Sequence, residues 1–326
     1  MLMYSLDADA ALAQALSAQL CTPLAALEDR SFEDGEHKWR PLNDPRGESV
    51  FVIASLYGRP GTSPHDALCR LLMFIATLRD HGAARITALV PYLAYARKDR
   101  RTKPFDPLAL RYVAQLFEAV GPDELVVLEA HNVAAFQNAF RLPTRHLQAD
   151  GAFDDLARSL VGGGPCAVAS PDPGGVKRAQ LWRESLETDL QRPVGFAMVD
   201  KRRSADRVSS LHLVAGEVQG ATVLLIDDLI VSGETMVNAA KALRQAGACE
   251  VVAFAAHGLF TGEAPRVLGE AVAISRVVVT DSVPPFRVPP GSALAAKLTV
   301  VSAAPLFAPI IQPVVSVGMV SAPSVT

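Results

Sequence analysis

Short apolar runs alternate along this chain with longer stretches whose apolar residues recur at helical spacing. In the first half, residues 50–55 predict a strand. Residues 64–80 predict a helix, with Leu68, Leu71, Leu72, Ile75 and Leu78 on one face and Gly82 ending it. A strand over 85–92, a helix over 108–120 and a strand over 125–130 that delivers His131 follow. The second half repeats this grammar. Strands are predicted over 166–170, 194–199, 221–226 and 250–255, and helices over 176–190 and 236–246. Such alternation predicts an α/β architecture of mostly parallel sheets covered by helices. A boundary near residue 150 fits the Gly162-Gly163-Gly164-Pro165 turn that follows it.

The most informative stretch is 223–235, VLLIDDLIVSGET. An apolar run suited to a buried parallel strand leads to two adjacent carboxylates, Asp227 and Asp228, placed where the strand is expected to end. Ser232, Gly233, Glu234 and Thr235 come next and open a helical pattern. Ligands of open α/β sheets bind beyond the carboxyl ends of strands. Unpaired amides at a helix start favour an anion such as phosphate. Paired acids beside such a cradle suit sugar hydroxyls or a hydrated metal, so the segment reads as a sugar-phosphate loop.

Four further strand ends carry polar groups. After Pro91-Tyr92 comes Arg97-Lys98-Asp99-Arg100-Arg101, either a solvated loop or a polyphosphate clamp of arginine forks and lysine point charges. Glu129-Ala130-His131-Asn132 offers a histidine for phosphate or metal, or a structural residue. Ser170-Pro171-Asp172-Pro173-Gly174-Gly175 turns tightly into Lys177-Arg178, with Asp172 able to bind a metal. Asp200-Lys201-Arg202-Arg203 begins a polar loop that can close over a reacting polyphosphate, or simply lie exposed. The P-loop, the Rossmann glycine fingerprint and the G-x-S-x-G elbow are absent.

Composition narrows the class. The net charge is −3, which argues against nucleic acid as a partner. Cys21, Cys69, Cys166 and Cys249 are scattered without metal-binding spacing, which fits a reducing cytoplasm. The N-terminus lacks a basic region followed by an apolar core, so no signal peptide is expected. The C-terminal stretch after Lys297 is uncharged, but Pro305, Pro309 and Pro313 interrupt it. It is therefore expected not to span a membrane and not to form a helix, with a loose end from about Val317.

Together these residues resemble the ribose-phosphate pyrophosphokinase, or phosphoribosyl pyrophosphate (PRPP) synthetase, family, in order from about Phe32 to Leu306. Phe32-Glu33-Asp34-Gly35-Glu36 is similar to its F-x-[ND]-G-E loop, Pro91 to Arg100 to its PY-x-x-YAR-x-DR segment, and 170–178 to its SPD-x-GG-x-KR turn. The resemblance implies two phosphoribosyltransferase-like α/β domains. These would be an ATP-side domain over 1–149 and a domain with the ribose-5-phosphate loop over 150–300. An apolar proline-rich tail over 301–326 would pack partly on the first. It implies transfer of the β,γ-diphosphoryl group of ATP to the anomeric hydroxyl of ribose 5-phosphate, giving PRPP and AMP.

By the same resemblance, Phe32, Asp34, Glu36, Arg97, Lys98, Asp99 and His131 serve ATP. Asp227, Asp228, Ser232, Gly233, Glu234 and Thr235 serve ribose 5-phosphate. His131 and Asp172 serve Mg2+, and Lys201 and Arg203 are catalytic. It also implies a dimer-based homo-oligomer, a hexamer in most members. Two departures stand out. Val231 falls where many members have a further aspartate, and Glu234 where the family usually has glycine. A glutamate there is strained if the position needs a positive φ. Three alternatives stay open: a PRPP-consuming phosphoribosyltransferase, a non-catalytic regulatory paralogue, and the same transfer on another pentose phosphate.

Overall fold

The computed structural model describes residues 1–7, 11–202 and 211–320, and the chain divides into two units, Met1–Gln148 with Ser302–Thr326 and Ala149–Val301. The first runs β1 (Leu2–Ser5), α1 (Ala11–Gln19), β2 (Leu27–Ser31), β3 (His37–Pro41), β4 (Ser49–Ile53), α2 (Pro64–Asp80), β5 (Arg85–Val90), α3 (Ala109–Val120), β6 (Glu124–Leu128), α4 (Val133–Ala139) and β7 (Thr144–Leu147). Five parallel strands pair in the order β1-β4-β5-β6-β7. Every residue of β6 is buried, as a strand covered on both faces requires. One face packs Val50, Val52, Ile86, Ala88, Leu125 and Val127 against Leu71, Phe74 and Leu78 of α2 and Val113 and Phe117 of α3.

α2 starts where its sequence says it should. Ser63 Oγ accepts from the Asp66 amide at 3.2 Å while Asp66 Oδ2 accepts from the Ser63 amide at 2.7 Å, a reciprocal cap that satisfies two exposed donors. β2 and β3 form a separate antiparallel hairpin with few buried positions. It is held by Glu28, which pairs with Lys38 at 3.1 Å and Arg40 at 2.7 Å across the strands. Trp39 packs on the core, and Arg70 of α2 pairs with Asp29.

The second unit runs α5 (Asp150–Val161), β8 (Cys166–Ser170), a 3-10 turn (Pro173–Gly175), α6 (Val176–Leu190), β9 (Gly195–Arg202), β10 (Leu211–Ala215), β11 (Thr222–Ile230), α7 (Glu234–Gln245), β12 (Glu250–Gly258), α8 (Ala264–Glu270), β13 (Arg276–Thr280), a 3-10 turn (Ala295–Lys297) and β14 (Leu298–Val301). Its seven strands pair in the order β10-β9-β8-β11-β12-β13-β14, and only β10 runs antiparallel. Each unit is thus a mostly parallel sheet flanked by helices.

Three expectations change. The strand carrying the acid pair does not stop at Ile226. β11 pairs with β12 as far as Ile230 opposite Gly258, because Leu229 and Ile230 continue the ladder, and both aspartates lie inside it. β9 runs past Val199 to Arg202, where β10 gives its backbone a partner. The C-terminal stretch is a helix, α9 (Ala304–Val320), with Pro309 and Pro313 inside it. Pro305 lies in the first turn, where an amide has no helical partner anyway. Pro305, Pro309 and Pro313 are all exposed, four residues apart, so the two carbonyls whose helical partners Pro309 and Pro313 remove, those of Pro305 and Pro309, belong to residues on the wet face. Phe307, Ala308 and Ile311 on the other face are buried, and α9 packs against α1.

α6 carries residues of the site, so its anchorage matters. Trp182 stacks edge-on against Phe254 of β12 at 4.9 Å and Phe153 of α5 at 6.0 Å, and its Nε1 donates to Asp154 Oδ1 at 2.9 Å. Trp182→Ala is expected to lower unfolding free energy by about 3–5 kcal/mol, measured by urea denaturation. An unchanged midpoint would show that α6 is held by other contacts.

Candidate active site

In the second unit β8 stands between β9 and β11, so the connections leave it in opposite directions and a crevice forms beyond the carboxyl ends of β8 and β11. Beyond β8, Asp172 Oδ1 accepts from the Gly174 amide at 2.8 Å and the Gly175 amide at 3.2 Å, and the buried Ser170 hydroxyl donates to the Asp172 carbonyl at 2.6 Å. The turn is thereby fixed, and α6 leaves from it.

Gly175 is required by crowding. A Cβ there would stand 2.7 Å from Ser170 Oγ, 3.4 Å from Arg178 Nη1 and 3.9 Å from Asp227 Oδ1. The missing side chain lets α6 approach β11, and Arg178 faces the acid pair. Its Nη1 is 3.5 Å from Asp227 Oδ1 and its Nη2 is 3.9 Å from Asp228 Oδ1, with all three side chains largely buried. The Asp228 amide donates to Asp227 Oδ1 at 2.9 Å. Burial first, and the neighbouring Asp228 carboxylate second, push the Asp227 carboxyl well above the usual range. Arg178 opposes both.

Past the acids the chain turns through Val231–Gly233 into α7. Gly233 takes φ +79°, and a Cβ on it would meet Leu268 of α8 at 2.7 Å. The left-handed position is therefore Gly233, not Glu234. Glu234 begins α7 with helical backbone and is exposed, so the strain expected of it is absent. Ser232 and Thr235 are exposed beside it at the helix N-terminus. Lys201 lies on β9 opposite His212 of β10, and Arg203 lies outside the described residues.

In the first unit the predicted ATP-side residues fall on the β2–β3 hairpin and on two loops at adjacent strand ends. Phe32 is 42% exposed with Arg30 over its ring at 5.2 Å. Asp34 Oδ1 accepts from the Glu36 amide at 3.0 Å and shapes the turn. Arg97 is exposed, whereas Lys98 Nζ donates to Asp106 Oδ2 at 2.5 Å. Asp106 also accepts from the amides of Thr102 at 2.9 Å and Lys103 at 3.0 Å, which closes the basic loop on itself. The Asn132 amide group donates to Asp99 Oδ2 at 2.7 Å and its carbonyl caps α4, so the loops carrying Arg97 and His131 are joined. Tyr95 at φ +66° and Glu129 at φ +46° hold left-handed backbone at these two strand ends, a cost of about 1–3 kcal/mol each that usually marks a functional loop.

Sequence reasoning passed over Arg178, Asn132 and Asp106 as site residues. Asn132 carried a readable signal, an N-cap residue before a helix. Arg178 and Asp106 act through the geometry of other elements. Among the described residues no three His, Cys, Asp or Glu side chains converge, and no helix is long and apolar enough to cross a membrane.

An acid pair and a helix N-terminus at the switch point of a mostly parallel sheet make this unit an α/β protein with a candidate site for hydroxyls and an anion. The N-terminal domain of ribose phosphate pyrophosphokinase matches residues 1–121, and the phosphoribosyl synthetase-associated domain matches 196–310. A ribose-phosphate pyrophosphokinase of Chlorobaculum tepidum is 35% identical over 83% of this chain and 80% of its own, and one of Caldanaerobacter subterraneus is 36% identical over 91% and 89%. The crystal structure of phosphoribosylpyrophosphate synthetase from Mycobacterium smegmatis superposes with a TM-score of 0.84 at 31% identity, covering 97% of this chain and 99% of that one. The chain belongs to the ribose-phosphate pyrophosphokinase family, kinase-type diphosphotransferases that make PRPP.

Because the Asp227 carboxyl is pushed up in the native state, native protein binds a proton that the unfolded chain has released. The stabilisation from that proton is present at acid pH and lost as pH rises through the native value. Asp227→Asn should raise the melting temperature at mildly alkaline pH by about 2–4 °C and change it less at acid pH, read by calorimetry. A destabilised variant at alkaline pH would contradict the assigned cause.

Proposed function

We propose that this chain itself transfers the β,γ-diphosphoryl group of ATP to the anomeric hydroxyl of ribose 5-phosphate, releasing AMP. The observation that carries this reading is the acid pair of β11, countered by Arg178 and followed directly by the N-terminus of α7. Asp227 and Asp228 accept hydrogen bonds from the ribose 2- and 3-hydroxyls. The amides near Ser232, Gly233, Glu234 and Thr235 hold the 5-phosphate. Phe32, Asp34 and Glu36 on the hairpin serve the adenine end of ATP. Arg97, Lys98, Asp99 and His131 serve the rest of the nucleotide, with Asp99 and Lys98 acting chiefly as braces of their loop.

Diphosphoryl transfer needs charge neutralisation and positioning more than covalent help. Lys201 and Arg203 stabilise the charge that shifts onto departing AMP. Asp172 suits Mg2+: its Oδ1 takes two backbone amides, which orients the carboxylate and leaves its second oxygen for a cation that also takes substrate phosphates. His131, exposed on the loop into α4, is the second candidate ligand. Bound magnesium supplies neutralisation of the triphosphate. A homo-oligomer built from dimers and a cytoplasmic location complete the reading.

Purified protein given ATP, magnesium and ribose 5-phosphate should produce AMP and PRPP in equal amounts, and Lys201→Ala should cut turnover severely without loss of fold. AMP release only with another pentose phosphate would reassign the substrate, and no AMP with any sugar phosphate would leave a non-catalytic paralogue. Glu234 places an exposed carboxylate beside the proposed phosphate amides. Glu234→Gly is therefore expected to keep turnover and lower KM for ribose 5-phosphate several-fold, roughly the loss of one screened like-charge contact. A large loss of activity would sink that assignment.

A further inference from the structure

Two adjacent carboxylates inside a strand, both largely buried, repel each other and lose hydration. Repulsion alone gives the two carboxyl groups no fixed orientation, so holding them as a pair needs a partner that faces both. In this unit that partner comes from α6. Arg178 is one helical turn past the Asp172 turn, and its two terminal nitrogens divide between the acids, at 3.5 Å from Asp227 Oδ1 and 3.9 Å from Asp228 Oδ1. The surroundings are built for this approach. Gly175 leaves the space through which the guanidinium reaches β11, and α6 packs against β8, β9 and β11. Trp182, one turn further along, anchors the same helix in an aromatic cluster.

We propose that Arg178 is a positioning residue, whose guanidinium faces both Asp227 and Asp228 from α6 and holds them as one oriented pair for the hydroxyls of the sugar phosphate. This rests on the reading of the acid pair as the ribose-hydroxyl site. Arg178 acts through the aspartates, not on the phosphate. A planar fork suits this task, since one side chain must address two carboxylates at once. Lysine, a point charge on a flexible stem, replaces only the charge.

The test is the affinity of intact protein for ribose 5-phosphate by titration calorimetry, with KM and kcat beside it, for wild type, Arg178→Gln, Arg178→Lys, Asp227→Asn and the double variant Arg178→Gln/Asp227→Asn. Arg178→Gln should weaken ribose 5-phosphate binding by about tenfold or more, while KM for ATP stays within about twofold. Arg178→Lys should recover part of the loss. On the Asp227→Asn background the same change should cost less than about threefold, because the pair it serves is already broken. Equal binding by Arg178→Gln and wild type would overturn the proposal. So would an undiminished loss on the Asp227→Asn background, which would make Arg178 a direct ligand of the sugar phosphate. Thermal unfolding of each variant separates these results from misfolding, and the lysine variant keeps the test open if the glutamine variant does not fold. If wild type itself binds no ribose 5-phosphate, the hydroxyl-site reading fails, and Arg178's role falls with it.

Discussion

The second unit is organised around a buried pair of carboxyl groups, Asp227 and Asp228, and the Arg178 guanidinium that faces both. Asp227 and Asp228 sit inside β11 rather than on a loose loop, so the sheet fixes their backbone to within the tolerance of a ladder. That precision has a cost, since burial and mutual repulsion both oppose two ionised carboxylates so close together. Arg178 opposes it in part, and the features around it follow from the need to bring α6 close. Glycine at 175 admits the guanidinium, Ser170 and Asp172 hold the turn that aims α6, and Trp182 anchors the helix from below. The first turn of α7 follows a few residues further along the chain, where the proposed function puts the 5-phosphate.

The first unit solves a different problem. Its strands follow one another in sequence order with a single direction of winding, so no crevice forms by reversal of the sheet. Its candidate residues instead depend on loops made rigid. Asp106 gathers Lys98, Thr102 and Lys103, Asn132 ties the loop after β6 to the loop after β5, and strained backbone at Tyr95 and Glu129 sets both exits. Several charged residues of the basic run are thus occupied in holding the run's shape. Arg97 remains exposed.

Much of this was legible in the sequence. The helix at 64–80 followed from its apolar spacing and the Gly82 that ends it, and the buried runs of β5, β6 and β8 from their composition. Motif order alone pointed to the family. The β2–β3 hairpin was not legible, because Glu28, Lys38 and Arg40 hold it by cross-strand charge pairs rather than an alternating apolar face. α9 defied the rule against interior proline because Pro309 and Pro313 lie on one wet face, where the carbonyls they orphan can meet water, while Phe307 and Ile311 bury the other face. Arg178 was visible as a letter but not as a partner, since its role depends on how α6 crosses β11. The conditional strain at Glu234 was misplaced by one residue, because only the fold shows that Gly233 takes the left-handed turn.

The central claim is that β11 and the start of α7 form the ribose-5-phosphate site. The most direct measurement is a crystal structure of the protein with ribose 5-phosphate bound. The account predicts the 2- and 3-hydroxyls within hydrogen-bond distance of the Asp227 and Asp228 carboxylates, the 5-phosphate on the amides of residues 232–235, and Arg178 still facing the acids. A sugar phosphate bound away from β11, or one whose phosphate rather than hydroxyls meets Arg178, would contradict it.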